Sequence, residues 1–296
     1  NYRNGLNWII FSTSHKKNNL ANNIYGLDTD INTLKKCEEL EIISKAENLL
    51  DRFSIQFDLI IICSPLSTYK IIFNELDSYI NQDTLITDVG STKKSVIEDF
   101  ESNVKNKNLI FIPSHPIAGL EKSGPEFGFA ELFSNRFCII TPFKKDSVNL
   151  EIISSFWNCI GMQIEIMDAD HHDRVLAMTS HIPQLIAYSI VSTATDLETH
   201  LKEEVIKYSA AGFRDFTRLA GSDPIMWRDI YAMNKDAVLE MLGRFVEDLT
   251  ALQKAIRNND QHLLEKTFHS TRKIRKIIEE IGQAGNFDPT ESKKIK

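Results

Sequence analysis

The sequence predicts an α/β domain followed by an all-helical domain. Short, nearly uniform apolar runs alternate with helical stretches up to Asp168, and beyond it only long amphipathic patterns continue. The chain has 296 residues, enough for two cores. The expected division is residues 1–168, 169–285 and a tail over 286–296.

Six runs carry the first domain: Asn23 to Leu27, Leu59 to Cys63, Leu85 to Asp88, Leu109 to Ile112, Phe137 to Thr141 and Gln163 to Met167. Runs apolar throughout, separated by helical segments, indicate a parallel sheet covered on both faces. The second domain reads as helices over His171 to Glu198, Glu203 to Ala210, Phe213 to Ala220, Met226 to Asn258 and Asp260 to Ile281. The last two are long enough to pack against a second subunit, so a homodimer through the C-terminal helices is expected.

Composition excludes some classes of partner. A net charge of −7 with dispersed Lys and Arg offers no basic field for nucleic acid or an anionic membrane surface. No apolar stretch approaches the roughly 20 residues of a bilayer crossing, and no charged-then-apolar leader opens the chain. The four cysteines are widely spaced with no CxxC pair, which points to a reducing cytoplasm and to no metal site.

The first domain has the marks of a dinucleotide-binding, Rossmann-like fold. Gly26-Leu27-Asp28 places a carboxylate at a strand tip, where such folds bond the adenosine ribose and disfavour a 2′-phosphate, so NAD is expected over NADP. The competing reading is a helix N-cap, because Asp28 or Asp30 precedes a helical segment. Ser64-Pro65, after a later strand, is the second loop expected against the cofactor. The first βα turn departs from the pattern: Trp8-Ile9-Ile10-Phe11-Ser12-Thr13-Ser14 has no G-x-G-x-x-G. Read one base later, codons for Asn1 to Ile10 can spell Ile-Ile-Gly-Met-Gly-Leu-Ile-Gly-Ser-Ser. The last of those glycines is forced by the Trp8 codon and lies 20 positions before Asp28. The other two need particular codons for Arg3 and Gly5; residues 1 to about 16 are expected to be a shifted reading of a glycine loop, the alternative being a diverged, cofactor-poor N-terminus.

The chemistry concentrates in Asp88-Val89-Gly90-Ser91-Thr92-Lys93 and in Ser114-His115-Pro116-Ile117-Ala118-Gly119, both at expected strand ends, where open α/β sheets bind ligands. Ser91 could supply a hydroxyl that orients the His115 imidazole. Arg214 and Arg218 are four apart with Asp215 between them, which by spacing alone suits a solvated ion-pair face. His171 and His172 read as a helix start.

Through these segments, and through His172-Asp173-Arg174, Thr179-Ser180-His181-Ile182-Pro183, Gly212-Phe213-Arg214-Asp215-Phe216-Thr217-Arg218 and Ser222-Asp223-Pro224-Ile225-Met226-Trp227-Arg228-Asp229, the chain resembles the prephenate/arogenate (cyclohexadienyl) dehydrogenases. The resemblance covers roughly residues 20 to 285. It implies NAD-dependent oxidative decarboxylation of a cyclohexadienyl substrate, prephenate or arogenate, in tyrosine biosynthesis. In those terms His115 is the catalytic base and Ser91 bridges base, substrate and nicotinamide. Arg218 holds a substrate carboxylate, and His181, Ser180, Asp215 and Trp227 line the substrate pocket, with Asp215 positioning Arg218. Gln184 departs from the family, which commonly has a second histidine there. The alternatives are another dehydrogenase with a Rossmann and a helical domain, of the hydroxyacid type that uses a catalytic lysine, or a non-catalytic relic without the glycine loop.

Overall fold

The computed structural model describes residues 20–48, 56–119, 124–196, 203–205 and 207–280. The expected glycine loop and the tail lie outside the described residues, and the helix expected over Glu203 to Ala210 lies partly outside them. The chain divides into two compact units, residues 1–241 and 242–296.

The first unit holds eight strands among the described residues: β1 (Tyr25–Leu27), β2 (Lys45–Glu47), β3 (Leu59–Ile62), β4 (Thr84–Asp88), β5 (Leu109–Phe111), β6 (Ser114–Pro116), β7 (Phe137–Ile140) and β8 (Gln163–Ile166). They form the ladders β1-β2, β3-β4-β5 and β6-β7-β8. Every pairing is parallel except β6 with β7. All six expected strands are present, within a residue or two at each end. The two unexpected ones have physical reasons. In the β2 sequence Lys-Ala-Glu only the small Ala46 packs against a core, so no apolar run marks it. Among the described residues the connection from β6 to β7 holds two short 3₁₀ turns, at 125–127 and 130–133, and no crossover helix of the kind a parallel return needs; the pair is antiparallel.

Helices α1 (Ile31–Glu39), α2 (Tyr69–Tyr79), α3 (Lys94–Asn103) and α4 (Ser147–Cys159) connect the strands. Adjacent residues of β4 serve opposite faces. Ile86 joins a core with Tyr69, Phe73, Phe100 and Phe111, while Leu85 joins one with Phe133, Ile153 and Trp157. The Phe73 ring meets Phe100 and Phe111, each at 5.3 Å between centroids and edge-on. Burial of both faces is the reason the central strands β3, β4 and β5 are so largely apolar.

Beyond Asp168 come α5 (Ala169–Leu176), a π turn (Ala177–His181) and α6 (Ile182–Thr195). The single helix expected over His171 to Glu198 is thus interrupted. Pro183 has no N–H to return to the carbonyl of Thr179 and its ring crowds that carbonyl, so the ladder widens at this point. Within the run Ala169–Thr195 an 18-residue window reaches a mean hydropathy of 1.2, which by length and composition alone would suit a bilayer as well as a protein core. The run buries His172, Asp173, His181 and Gln184, polar groups that hydrogen-bond within the protein. The helices α7 (Ala211–Thr217) and α8 (Pro224–Met233) follow, and α9 (Lys235–Arg257) starts after a break at Asn234, where one helix had been expected over Met226 to Asn258.

The second unit comprises the end of α9 and α10 (Gln261–Glu280), joined by a turn in which Asn259 takes φ 53°. Val246, Leu249 and Ile256 on the first helix and Ile274, Ile277 and Ile278 on the second are exposed.

Candidate active site

The carboxyl end of β4 is Asp88, fully buried, and a carboxylate there must be neutralised or hydrogen-bonded. Lys93 meets the need: its fully buried Nζ donates to Asp88 Oδ2 at 2.5 Å and to the Ser114 carbonyl at 2.7 Å. The Gly90 N–H and the Tyr69 hydroxyl donate to Oδ2 at 2.9 and 3.2 Å, and the Ser114 N–H donates to Oδ1 at 3.0 Å. A Cβ on Gly90 would sit 2.8 Å from both Asp88 Oδ2 and Leu66 Cδ2, so any side chain there would displace the carboxylate or the leucine. Burial lowers the Lys93 pKa from its ordinary value and the Asp88 charge opposes that shift. This knot fixes β6 against the turn after β4, and therefore fixes His115, the residue after Ser114.

His115 is 9% exposed. Its Nδ1 lies 2.8 Å from His172 Nε2, and His172 Nδ1 lies 2.7 Å from Asp173 Oδ1. The Asp173 carboxylate also accepts the backbone N–H groups of Lys93 and Lys94, at 2.8 and 3.0 Å, which caps the start of α3. Among the described residues no protein group hydrogen-bonds His115 Nε2. Burial, then the neighbouring His172, Lys93 and His181, hold His115 well below its ordinary pKa. The imidazole is neutral at pH 7 and able to accept a proton.

His181, in the π turn, is held from three directions. Asn234 donates Nδ2 to its Nδ1 at 3.2 Å, the Tyr231 hydroxyl donates to its carbonyl at 3.1 Å, and the Trp227 ring lies edge-on at 6.0 Å. Burial lowers its pKa to about 4. Trp227 is buried, and its Nε1 has no hydrogen-bond partner among the described residues. Ser180, beside His181, is half-buried. Gln184 donates Nε2 to the carbonyl of Leu219 at 2.7 Å, which ties α6 to the 3₁₀ turn Arg218–Gly221.

Two sequence expectations are corrected. Ser91 makes no hydrogen bond to His115, whose Nδ1 is taken by His172. Asp215 does not position Arg218: its Oδ1 takes the Nε of Arg214 at 3.0 Å, with both side chains largely in solvent. Asp28 follows β1, and the capping role that competed for it belongs to Asp30, which accepts the Asn32 N–H at 3.0 Å. Ser64 and Pro65 follow β3, and the Pro65 carbonyl accepts from Thr68. Two residues on, Ser67 Oγ donates to the buried Asp229 of α8 at 2.5 Å, joining that loop to the helix of Trp227. The residues that sequence reasoning missed are Asp88, Lys93, His172, Asp173 and Asn234. The signal for the middle three was available: a Lys five positions after a strand-end Asp, and His172-Asp173, which belongs to the segments of resemblance but was given no role of its own.

Residues 11–166 match the family model for the nucleotide-binding domain of prephenate dehydrogenase, and residues 168–270 match that for its dimerization domain. The chain belongs to the prephenate dehydrogenase family. It is 36% identical over 263 residues to the cyclohexadienyl dehydrogenase of Zymomonas mobilis, covering 86% of this chain and 89% of that relative. With the prephenate dehydrogenase of Bacillus subtilis it shares 31% over 267 residues, 88% of this chain and 70% of the other. Among solved structures it is similar to the prephenate dehydrogenase of A. aeolicus in complex with hydroxyphenyl propionate and NAD+, with a TM-score of 0.83, 32% identity, and coverage of 90% and 93% of the two chains. The expected α/β nucleotide-binding domain followed by a helical domain is the family's own arrangement, and the two family models meet between residues 166 and 168.

Proposed function

We propose that this chain is an NAD-dependent dehydrogenase that oxidatively decarboxylates prephenate, arogenate or both, yielding 4-hydroxyphenylpyruvate or tyrosine in tyrosine biosynthesis. The observation that carries the reading is His115: a buried, neutral imidazole, anchored through Nδ1, with Nε2 open to a ligand. A base in that state takes the proton of a ring hydroxyl at neutral pH. The A. aeolicus relative, bound to hydroxyphenyl propionate and NAD+, supports the same substrate shape and cofactor.

The residues fit the cofactor. Asp28 stands at the carboxyl end of a parallel strand with the capping duty left to Asp30, so it suits a ribose with free hydroxyls, and Ser64, Pro65 and Ser91 follow the carboxyl ends of β3 and β4. NAD bound there supplies the hydride acceptor. His115 accepts the hydroxyl proton, and loss of the ring carboxylate as CO2 makes the ring aromatic. Arg218 holds the substrate carboxylate through its planar fork, with Gln184 anchoring the turn that carries it. His181, Ser180 and Trp227 line the substrate pocket; the unpaired Trp227 indole N–H is a donor for it. The two-domain division near residue 168 and a homodimer through α9 and α10 belong to the same reading, supported by the dimerization-domain match and the exposed apolar residues of both helices. A cytoplasmic setting is supported by the four free cysteines.

Purified protein mixed with NAD and either prephenate or arogenate, watched for NADH absorbance, tests the reading. NADH formation with at least one substrate is expected. No NADH with either, from folded protein that binds NAD, overturns it.

A further inference from the structure

We infer that Asp173 and His172 are positioning residues that set the tautomer of His115, acting as a two-step hydrogen-bond relay that leaves the His115 lone pair on Nε2. The inference rests on the reading of His115 as the base. Its logic follows from which atoms can donate. An ionised carboxylate only accepts, and Asp173 is held in that role by the backbone N–H groups of Lys93 and Lys94. The 2.7 Å contact between Asp173 Oδ1 and His172 Nδ1 therefore places the His172 proton on Nδ1. A neutral imidazole carries one N–H, so His172 Nε2 is an acceptor. The 2.8 Å contact between His172 Nε2 and His115 Nδ1 then requires a proton on His115 Nδ1. Nε2 of His115 is left unprotonated, the form a base needs.

The alternative tautomer would put a proton on His115 Nε2, and the ring could then only donate to a substrate hydroxyl. It would also set two lone pairs or two protons against each other somewhere between Asp173 and His115, inside a buried site where an unmade hydrogen bond goes uncompensated by water. The relay has a second consequence after proton transfer. The cationic His115 keeps its Nδ1 bond to His172, and the Asp173 carboxylate stands at the far end of the chain to offset the charge. His172 touches neither substrate nor cofactor in this scheme; it acts through His115.

The direct test is the tautomer itself. In the intact, unliganded protein labelled with ¹⁵N-histidine, with the His115 signals assigned by loss in His115→Asn, Nδ1 is expected to carry the proton and Nε2 to be bare at pH 7.5. A proton on Nε2 overturns the inference. Turnover gives the second arm. His172→Phe keeps a ring of similar bulk and removes the acceptor. If folded by circular dichroism, it is expected to lose about 10²-fold in kcat, with KM for prephenate changed less than about threefold. Unchanged kcat in His172→Phe, with His115→Asn inactive, overturns the relay alone, whereas full turnover in His115→Asn removes the base reading beneath it.

Discussion

The Asp173 carboxylate accepts the backbone N–H of Lys93 at 2.8 Å. Through that contact the first helix after the sheet caps the helix that follows β4, and Asp173 stands one residue from His172. Lys93 itself turns its side chain the other way, to Asp88 at the end of β4. One five-residue turn thus anchors both sides of the base: the strand that carries His115, through Ser114, and the helix that carries its partner. Without these bonds the imidazole would be placed only by the packing of a three-residue strand.

Lys93→Met is expected to destabilise the protein by about 3–5 kcal/mol, because it leaves the Asp88 carboxylate buried without its cation. The double change with Asp88→Asn removes both charges and should recover part of the loss. Urea denaturation of the two single variants and the double variant measures the coupling; strictly additive effects would show that the pair is not coupled.

His115→Asn and Arg218→Ala should separate in steady-state kinetics. The first removes the base and is expected to lower kcat by about 10²- to 10⁴-fold with KM nearly unchanged. The second removes a charged contact to the substrate and should raise KM for prephenate by about 10- to 100-fold, the equivalent of roughly 1.5–3 kcal/mol. A kcat effect dominating in Arg218→Ala would reassign that residue to the chemistry.

Acid should weaken the fold before it protonates the base. His115, His172 and His181 all have pKa values lowered by burial, His181 to about 4. Below about pH 6.5 the unfolded chain takes up protons that the folded one refuses, so stability is full above that pH and falls as pH drops toward the folded values. Each such histidine costs up to about 1.4 kcal/mol per pH unit in that window. Around His115 the charged neighbours are Lys93, which opposes protonation, and Asp88 and Asp173, whose charges moderate it at His172. The acid limb of kcat/KM is accordingly expected below pH 6.5. Melting temperatures flat from pH 7.5 to 5, or an acid limb above pH 6.5, would contradict this account.

The strands with apolar runs and the order of the two domains were legible because period and composition record burial directly. β2 was not, since Lys45-Ala46-Glu47 gains its place by pairing with Tyr25-Gly26-Leu27 rather than by burying side chains. The π turn was hidden for a related reason: Pro183 announces a disturbed helix, but which carbonyls are released depends on the three-dimensional ladder. His115 stood out by its turn-rich surroundings. Its partner did not, because 57 residues separate it from His172 and no local pattern encodes a pairing across that distance. Arg214 and Asp215 matched the solvated ion pair that their spacing suggested.

The two helices of the C-terminal unit set a last expectation. Leu249 and Ile256 lie seven apart on α9, with Val246 beside them, while Ile274, Ile277 and Ile278 share one side of α10; all are exposed in the single chain. Apolar stripes on two long helices have no hydrophobic burial unless another surface covers them. If that surface is a second copy, a carboxylate in the stripe should separate the copies, since it would be buried at the interface without a partner. Sedimentation equilibrium of the unaltered protein is expected to give two chains of 33.8 kDa, and of the double variant Leu249→Asp, Ile277→Asp to give one. Because both positions are exposed in the chain alone, helicity by circular dichroism should be retained when the variant is monomeric. A monomeric unaltered protein at micromolar concentration, or a dimeric double variant, would place the subunit contact elsewhere or remove it.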